Sequence, residues 1–233
     1  MKNRNAKRIL AAGAAAVLAV GLTACGGKEN KADDKTITVA ASPTPHAEIL
    51  EAAKDLLKEK GYTLEIKEFD DYPQQNVVVD EGEFDANYFQ HQPYLDNFNE
   101  EKGSDLVSAA KIHYEPLGIY PGASEDLENI KDGAKIAVPN DATNEARALL
   151  LLEENGIITL KEDAGLNATK KDVEENPHNI EIVELDAAQI ARVVEELDFV
   201  VLNGNYALDA GFNVQTKKRP ILRLLRLMRT LLQ

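Results

Sequence analysis

Apolar and polar residues follow two different periods along this chain, and each period predicts one type of element. Short runs rich in β-branched residues at 36–41 and 63–69 predict strands. Between them, apolar residues recur at helical spacing over 46–60 and predict an amphipathic helix, with Gly61 placed to end it. A strand, a helix and a second strand in this order predict a βαβ unit, whose two strands are parallel.

The same alternation continues to residue 202. Further strands are predicted at 84–88, 106–112, 117–120, 135–139, 180–185 and 199–202. Further helices are predicted at 93–101, 141–155 and 187–195, and a polar, turn-rich excursion at 161–178 carries a short helix near 170–175. This alternation favours an α/β fold with open, mostly parallel sheets. Such sheets bind ligands at the carboxyl ends of their strands.

The N-terminal segment has the pattern of an export signal. A basic head is followed by an apolar run at 9–22, which is shorter than the about 20 residues needed to span a bilayer. Residues 1–24 are therefore predicted to be a secretory signal peptide. The ending Leu22-Thr23-Ala24-Cys25 resembles a lipobox, and Cys25 is the only cysteine. We expect a lipid on Cys25 and a flexible tether over 25–35; the alternative is a lone free thiol.

Charge and motifs exclude several function classes. The formal charge is −14, and the signal peptide carries only basic residues, so the remaining chain is more acidic still. An acidic surface argues against a nucleic-acid partner. The chain has no G-x-S-x-G, phosphate-loop or H-E-x-x-H motif, and His91 and His113 lack carboxylates at metal-ligand spacing. We therefore expect no enzyme, no cofactor and no metal.

An aromatic segment is the first candidate binding site. Five of the thirteen aromatic residues lie within 84–98. Residues 88–91 (Tyr-Phe-Gln-His) fall between a predicted strand and a helix begun by Pro93, where a cleft loop belongs. Adjacent rings with polar neighbours suit an apolar ligand that has a polar head. Packing of these rings in the core is the alternative.

Two polar segments are further candidates. Asn144 and Arg147 share one face at the start of the predicted helix 141–155, where free N–H groups and a guanidinium favour an anion. An ion pair between Arg147 and a nearby acid is the alternative. Asn203 and Asn205 flank Gly204 directly after a strand and could bind both ends of an amino acid, although a plain turn would explain the same residues.

Four longer phrases occur together in this sequence. They are DANYFQHQPYL at 85–95, HYEPLGIY at 113–120, PNDATNEARAL at 139–149 and NGNYA at 203–207. With the lipobox, their order and spacing resemble the methionine-binding lipoproteins of ABC importers, the NlpA/MetQ type, over about residues 22–213. The resemblance implies a periplasmic-binding-protein fold of the second type. It has two α/β lobes with open mixed sheets, here at 36–114 and 115–213, which close around a ligand cleft.

The resemblance also implies roles for single residues. Arg147 and Asn144 would hold the α-carboxylate, while Asn203 and Asn205 would hold the amino-acid head from the opposite side. The side-chain pocket would be lined by Tyr72, Tyr88, Phe89, His91 and His113. The expected protein is a monomer, held to the membrane by its lipid on the extracytoplasmic face. It would deliver methionine to a permease powered by a cytoplasmic ATPase. Alternatives are a binder of another small apolar amino acid or a peptide, and a surface adhesin on the same fold.

The C-terminal segment 214–233 departs from this pattern. It contains six Lys or Arg residues and no acid, in contrast to the acidic chain before it. We expect that the C-terminal part is truncated or frame-shifted. An amphipathic helix over 220–233, lying on a membrane surface, is the alternative.

Overall fold

The computed structural model describes residues 35–212 and the short strand Arg223–Leu224. It begins with β1 (Thr36–Ala41), α1 (Glu48–Glu59) and β2 (Thr63–Glu68), joined before α1 by a kinked turn at Pro43–Ala47. β1 and β2 pair in parallel along their whole length. The predicted βαβ unit is therefore confirmed.

A three-stranded sheet is completed by β3 (Ala86–Tyr88), which pairs in parallel with the other edge of β1. Around it lie α2 (Tyr72–Asp80) and α3 (Gln92–Lys102). The apolar face of α1 is only partly covered by the described residues, and Leu56 remains 63% exposed. The amphipathic helix is thus correctly predicted, but most of its apolar face is not core within the described part of the chain.

A five-stranded mixed sheet follows. It consists of β4 (Leu117–Pro121), β5 (Lys135–Pro139), β8 (Glu181–Leu185), β9 (Phe199–Asn203) and β10 (Arg223–Leu224), with helices α4 (Ala142–Glu154), α5 (Ala187–Ile190) and α6 (Gly204–Asp209). The strand order is β10-β4-β9-β5-β8, and β5 pairs in parallel with both of its neighbours. β4 is antiparallel to β9 and to β10. A small hairpin joins β6 (Thr159–Leu160) to β7 (Val173–Glu175).

The central strand β9 is buried on both of its faces. Phe199 and Val201 pack with Leu149 and Leu152 of α4, whereas the alternate residues of β9 pack with Phe212 on the other face. Full burial of each large apolar side chain contributes about 1.5–3 kcal/mol. The core therefore fixes the carboxyl ends of β5 and β9, from which α4 and α6 begin.

Several predicted elements differ from the structure. Residues 106–112 run as irregular chain without a strand partner among the described residues, and Val107 is 85% exposed. The predicted helix at 187–195 ends at Ile190, and a single 3₁₀ turn follows at Val194–Glu196. The excursion at 161–178 holds two 3₁₀ turns, of which Lys170–Asp172 matches the predicted short helix only in part.

The two ends of the chain lie outside the described residues. The predicted signal peptide, Cys25 and most of the tether therefore have no structural account here. Of the segment 214–233, only Arg223–Leu224 is described, and it pairs as a strand with Ile119 and Gly118. The alternative prediction of an amphipathic helix over 220–233 is thus wrong at these two positions. Among the described helices, none is long and apolar enough to cross a membrane.

Candidate functional site

The start of α4 arranges the first group of candidate side chains. Asp141 caps the helix by accepting a hydrogen bond from the backbone N–H of Asn144 at 3.0 Å, and its carboxylate also accepts from the Asn144 amide. The Asn144 Oδ1 atom in turn accepts from Arg147 at 2.8 Å and from Asn203 at 3.0 Å. The buried amide of Asn144 therefore connects the helix start to the end of β9.

Arg147 carries a charge that no described carboxylate neutralises directly. Its second hydrogen bond goes to the backbone oxygen of Glu115 at 3.4 Å, and no ion pair within 4.0 Å forms with any described acid. Glu145 instead accepts from the backbone N–H of Lys170. Desolvation lowers the pKa of Arg147, but a guanidinium stays protonated in proteins. The alternative of a local ion pair is therefore wrong.

Aromatic rings form the wall next to Arg147. Tyr72 stacks on Phe89 with ring centroids 5.3 Å apart, and Tyr94 contacts both rings edge-on. His91 lies beside them, and burial together with the charge of Arg147 lowers its pKa to about 3. The His91 ring is consequently neutral at physiological pH. Its Nε2 atom is buried and has no hydrogen-bond partner among the described residues.

Side-chain amides hold the loop that carries Tyr88 and Phe89. Gln90 donates to Asn76 Oδ1 at 2.7 Å and to Asn87 Oδ1 at 3.1 Å, and it accepts from Asn76 Nδ2 at 2.9 Å. Asn87 donates to the backbone oxygen of Gln75 and to Asn76. We call Asn76, Asn87 and Gln90 the amide network. It links α2 to the loop after β3 and thereby fixes the aromatic wall.

Residues from both sheets meet at Glu115. Its Oε2 atom accepts from the backbone N–H of Asn205 at 3.1 Å, and its Oε1 atom lies 3.0 Å from His113 Nε2. Two tyrosines also join α2 and its preceding loop to α6: Tyr72 donates to Asn205 Oδ1, and Tyr206 donates to the backbone oxygen of Asp70 at 2.5 Å. The three-stranded and five-stranded sheets thus share one polar junction.

A cavity of about 880 Å³ lies along this junction. This volume falls within the usual range for small-molecule sites. Its walls combine the aromatic rings with Arg147, Asn144 and Asn203. The Oδ1 atom of Asn203 is buried and has no partner among the described residues. The cavity therefore has a cationic donor next to an apolar wall, and two of its lining residues, His91 and Asn203, each have a buried polar atom without a partner among the described residues.

Comparison with known proteins decides the family. A profile described as NlpA lipoprotein matches residues 37–220, which is most of the chain. The chain belongs to the NlpA lipoprotein family. The match also extends past residue 213, where the sequence alone indicated that the resemblance ends.

Relatives of this NlpA-family chain include proteins named for methionine. The methionine-binding lipoprotein MetQ of Bacillus subtilis is 42% identical over 207 residues, which cover 86% of this chain and 76% of the relative. A solved lipoprotein structure from Ruminococcus gnavus is 67% identical, with a TM-score of 0.78 and coverage of 82% and 77%. A nutrient-binding protein from Burkholderia cenocepacia, solved bound to methionine, is 43% identical, with a TM-score of 0.75 and coverage of 82% and 80%. The predicted family and the type 2 periplasmic-binding fold are confirmed.

The NlpA-family chain brings most of the predicted site residues to one cavity. Those that line it are Tyr72, Tyr88, Phe89, His91, His113, Asn144, Arg147 and Asn203. Asn205 does not line the cavity; its side chain is buried behind the wall, where it accepts from Tyr72. Residues 203–206 are also more than a plain turn, because α6 begins at Gly204.

Two residues of the junction were missed by sequence reasoning. Glu115 lies two positions after His113, so the expectation that His113 lacks a carboxylate at ligand spacing is wrong. His46 follows β1 at its carboxyl end, and its Nε2 atom lies 3.6 Å from Glu115 Oε1. The rule that ligands bind at the carboxyl ends of strands could have drawn attention to His46. His46, His113 and Glu115 together are a group that could hold a metal ion.

Proposed function

We propose that this chain is a lipid-anchored solute-binding protein that captures methionine and delivers it to an ABC importer. The observation that carries the proposal is the guanidinium of Arg147, which lies in an aromatic-lined cavity without a carboxylate of the described chain within 4.0 Å. A buried charge without a partner is costly, so a ligand anion would offset that cost.

The head group of an amino acid fits the polar side of the cavity. Arg147 would bind the α-carboxylate through its planar fork, and Asn144 would hold the guanidinium in place through the hydrogen bond at 2.8 Å. The orphan Oδ1 atom of Asn203 would accept from the α-ammonium group. Asn205 would act indirectly, by orienting Tyr72.

The side chain of methionine fits the aromatic side. A thioether is unbranched and polarizable, and it makes favourable contacts with aromatic rings. Tyr72, Phe89 and Tyr88 supply such rings, while His91 is a neutral polar group beside them. Proteins of the family that are named for methionine support this ligand over other small apolar amino acids.

We further propose how the protein works in the cell. Residues 1–24 are removed, Cys25 receives the lipid, and 25–35 form the tether on the extracytoplasmic face. The lobes at 36–114 and 115–213 close around methionine, and the closed monomer docks on the permease, whose cytoplasmic ATPase drives transport. The chain itself performs no chemistry. Relatives named membrane lipoprotein and outer membrane lipoprotein support the anchor.

Mass spectrometry of the ligand tests the proposal directly. Freshly purified protein, never exposed to added amino acids, is denatured, and the released small molecules are identified. We expect methionine in an amount comparable with the protein. Release of a different amino acid or of a peptide would move the proposal to that ligand. If no small molecule is released and calorimetry detects no binding of amino acids, a role as a surface adhesin is favoured instead.

A further inference from the structure

Two histidines and one carboxylate converge at the sheet junction. The Nε2 atoms of His46 and His113 lie 3.6 Å and 3.0 Å from the same Oε1 atom of Glu115. One ligand atom from each of the three residues can be chosen so that all lie within 4.8 Å of one another. Two ligand atoms bound about 2.1 Å from a tetrahedral zinc ion are about 3.4 Å apart, so the separations of 3.0 Å and 3.6 Å suit shared coordination. A separation as long as 4.8 Å would have to shorten when an ion binds.

Hydrogen bonding alone does not account for the position of His46. The bond between His113 and Glu115 has ordinary length, but the 3.6 Å separation between His46 Nε2 and Glu115 Oε1 is too long for one. The His46 side chain is nevertheless 3% exposed and has little room to turn away. Its ring also lies 5.1 Å from the His113 ring, centroid to centroid. An ion bound between these side chains would explain why they converge.

Groups behind the cluster already have the arrangement of an outer coordination shell. His113 Nδ1 is 2.5 Å from the Tyr88 hydroxyl, and Glu115 Oε2 accepts from the backbone N–H of Asn205 at 3.1 Å. Metal-binding histidines almost always use their second ring nitrogen in this way, and ligating carboxylates are likewise held by hydrogen bonds. Two of the three groups are therefore oriented before any ion arrives.

Access from the cavity also suits a metal ion. The His113 side chain is 27% exposed and that of Glu115 is 19% exposed, and both line the cavity. An ion could therefore reach the cluster from the cavity.

From these contacts we infer that His46, His113 and Glu115 form a binding site for one divalent transition metal, of which zinc is the best match. Two imidazoles and a carboxylate are ligands that zinc accepts, and three protein ligands leave a fourth position open toward the cavity. His46 follows β1 and Glu115 precedes β4, so a bound ion would connect the two sheets. The inference does not depend on methionine as the ligand.

Metal titration of the full chain tests the site. The protein, without any histidine tag, is treated with a chelator, freed of amino acids, and titrated with Zn²⁺ in a calorimeter and with Co²⁺ by visible absorption. We expect one ion per chain and the strong visible bands of tetrahedral cobalt. His113→Gln and Glu115→Gln should each weaken binding at least about 10-fold, since even outer-shell changes cost 10–100-fold.

His178→Gln is the matched control, because this histidine lies apart from the cluster in the loop before β8. It should bind Zn²⁺ as the unaltered protein does. Circular dichroism checks that each variant is folded; if Glu115→Gln is not, His113→Gln decides, because His113 is partly exposed. Equal affinity in His113→Gln and His178→Gln would overturn the inference, as would the lack of uptake of one ion per chain. Methionine titrations are run separately, so failure of either proposal leaves the other open to its own test.

Discussion

Replacement of Arg147 by alanine is the sharpest test of head-group recognition. In the proposed complex its guanidinium forms a desolvated, hydrogen-bonded pair with the α-carboxylate of methionine. Truncating one partner of such a pair costs about 2–5 kcal/mol, partly because the other charge stays buried without a partner. At about 1.4 kcal/mol per tenfold, affinity should fall between roughly 30-fold and several thousand-fold.

The stability of the ligand-free protein should change much less. Arg147 donates one hydrogen bond of 2.8 Å to Asn144 and a long one of 3.4 Å to Glu115. Each such bond contributes about 0.5–1.5 kcal/mol net, and removal of a desolvated charge offsets part of that loss. Chemical denaturation should therefore give nearly the same unfolding free energy for Arg147→Ala and for the unaltered protein.

The assay is calorimetric titration with methionine and with methionine amide, which lacks the carboxylate. Arg192→Ala is the matched control, because Arg192 is exposed and lies outside the cavity. The affinity of this variant for methionine should be unchanged. The unaltered protein should prefer methionine strongly over its amide, whereas Arg147→Ala should lose most of that preference. If Arg147→Ala binds methionine as tightly as Arg192→Ala does, Arg147 does not hold the carboxylate and the reasoning fails.

Three further predictions concern other parts of the chain. Tyr88→Ala and Phe89→Ala should weaken methionine more than alanine in calorimetry, because they remove contacts to the ligand side chain; equal losses would mean that these rings act only as core. Cys25→Ser should abolish incorporation of labelled fatty acid, and a Ser variant that still takes up label would exclude this anchor. The folded-state pKa of His46 is lowered from 6.5 to about 4, so its neutral form stabilises the fold at neutral pH. That contribution is lost as the pH falls below 6.5, by about 2 kcal/mol between pH 7 and pH 5, and His46→Gln should show a smaller loss in denaturant titrations.

The sequence predicts the buried strands β5 and β9 but not the helix α2 of the cavity wall. β5 and β9 are buried, apolar and bounded by polar residues, so their pattern is clear. α2 was missed because its buried face includes Gln75 and Asn76, which look like solvent-exposed residues in a sequence. Ser42 accepts from the Gln75 amide, and Asn87 and Gln90 hydrogen-bond with the amide of Asn76. Such partners cannot be seen from a local pattern.

In the site, too, contacts between residues close in sequence could be predicted, whereas contacts between residues far apart in sequence could not. The helix start that orients Asn144 and Arg147 is local, and Asp141 at its cap is visible in the sequence. Whether Arg147 has a carboxylate partner depends on the packing of the whole chain, so the sequence left that question open. The contact between Asn205 and Glu115 joins residues 90 positions apart, and no spacing rule within a single sequence identifies it.

The amide network has a consequence for the conditions under which the protein can work. Asn76, Asn87 and Gln90 are neutral at every pH at which the fold survives, and their mutual hydrogen bonds involve no net charge. Dissolved salt screens charges but leaves contacts between neutral amides largely unaffected. On the extracytoplasmic face, where we propose that the chain acts, a receptor meets water whose ionic strength and acidity the cell does not regulate. The amide network should therefore hold the loop with Tyr88 and Phe89 in the same shape in fresh and in brackish surroundings alike.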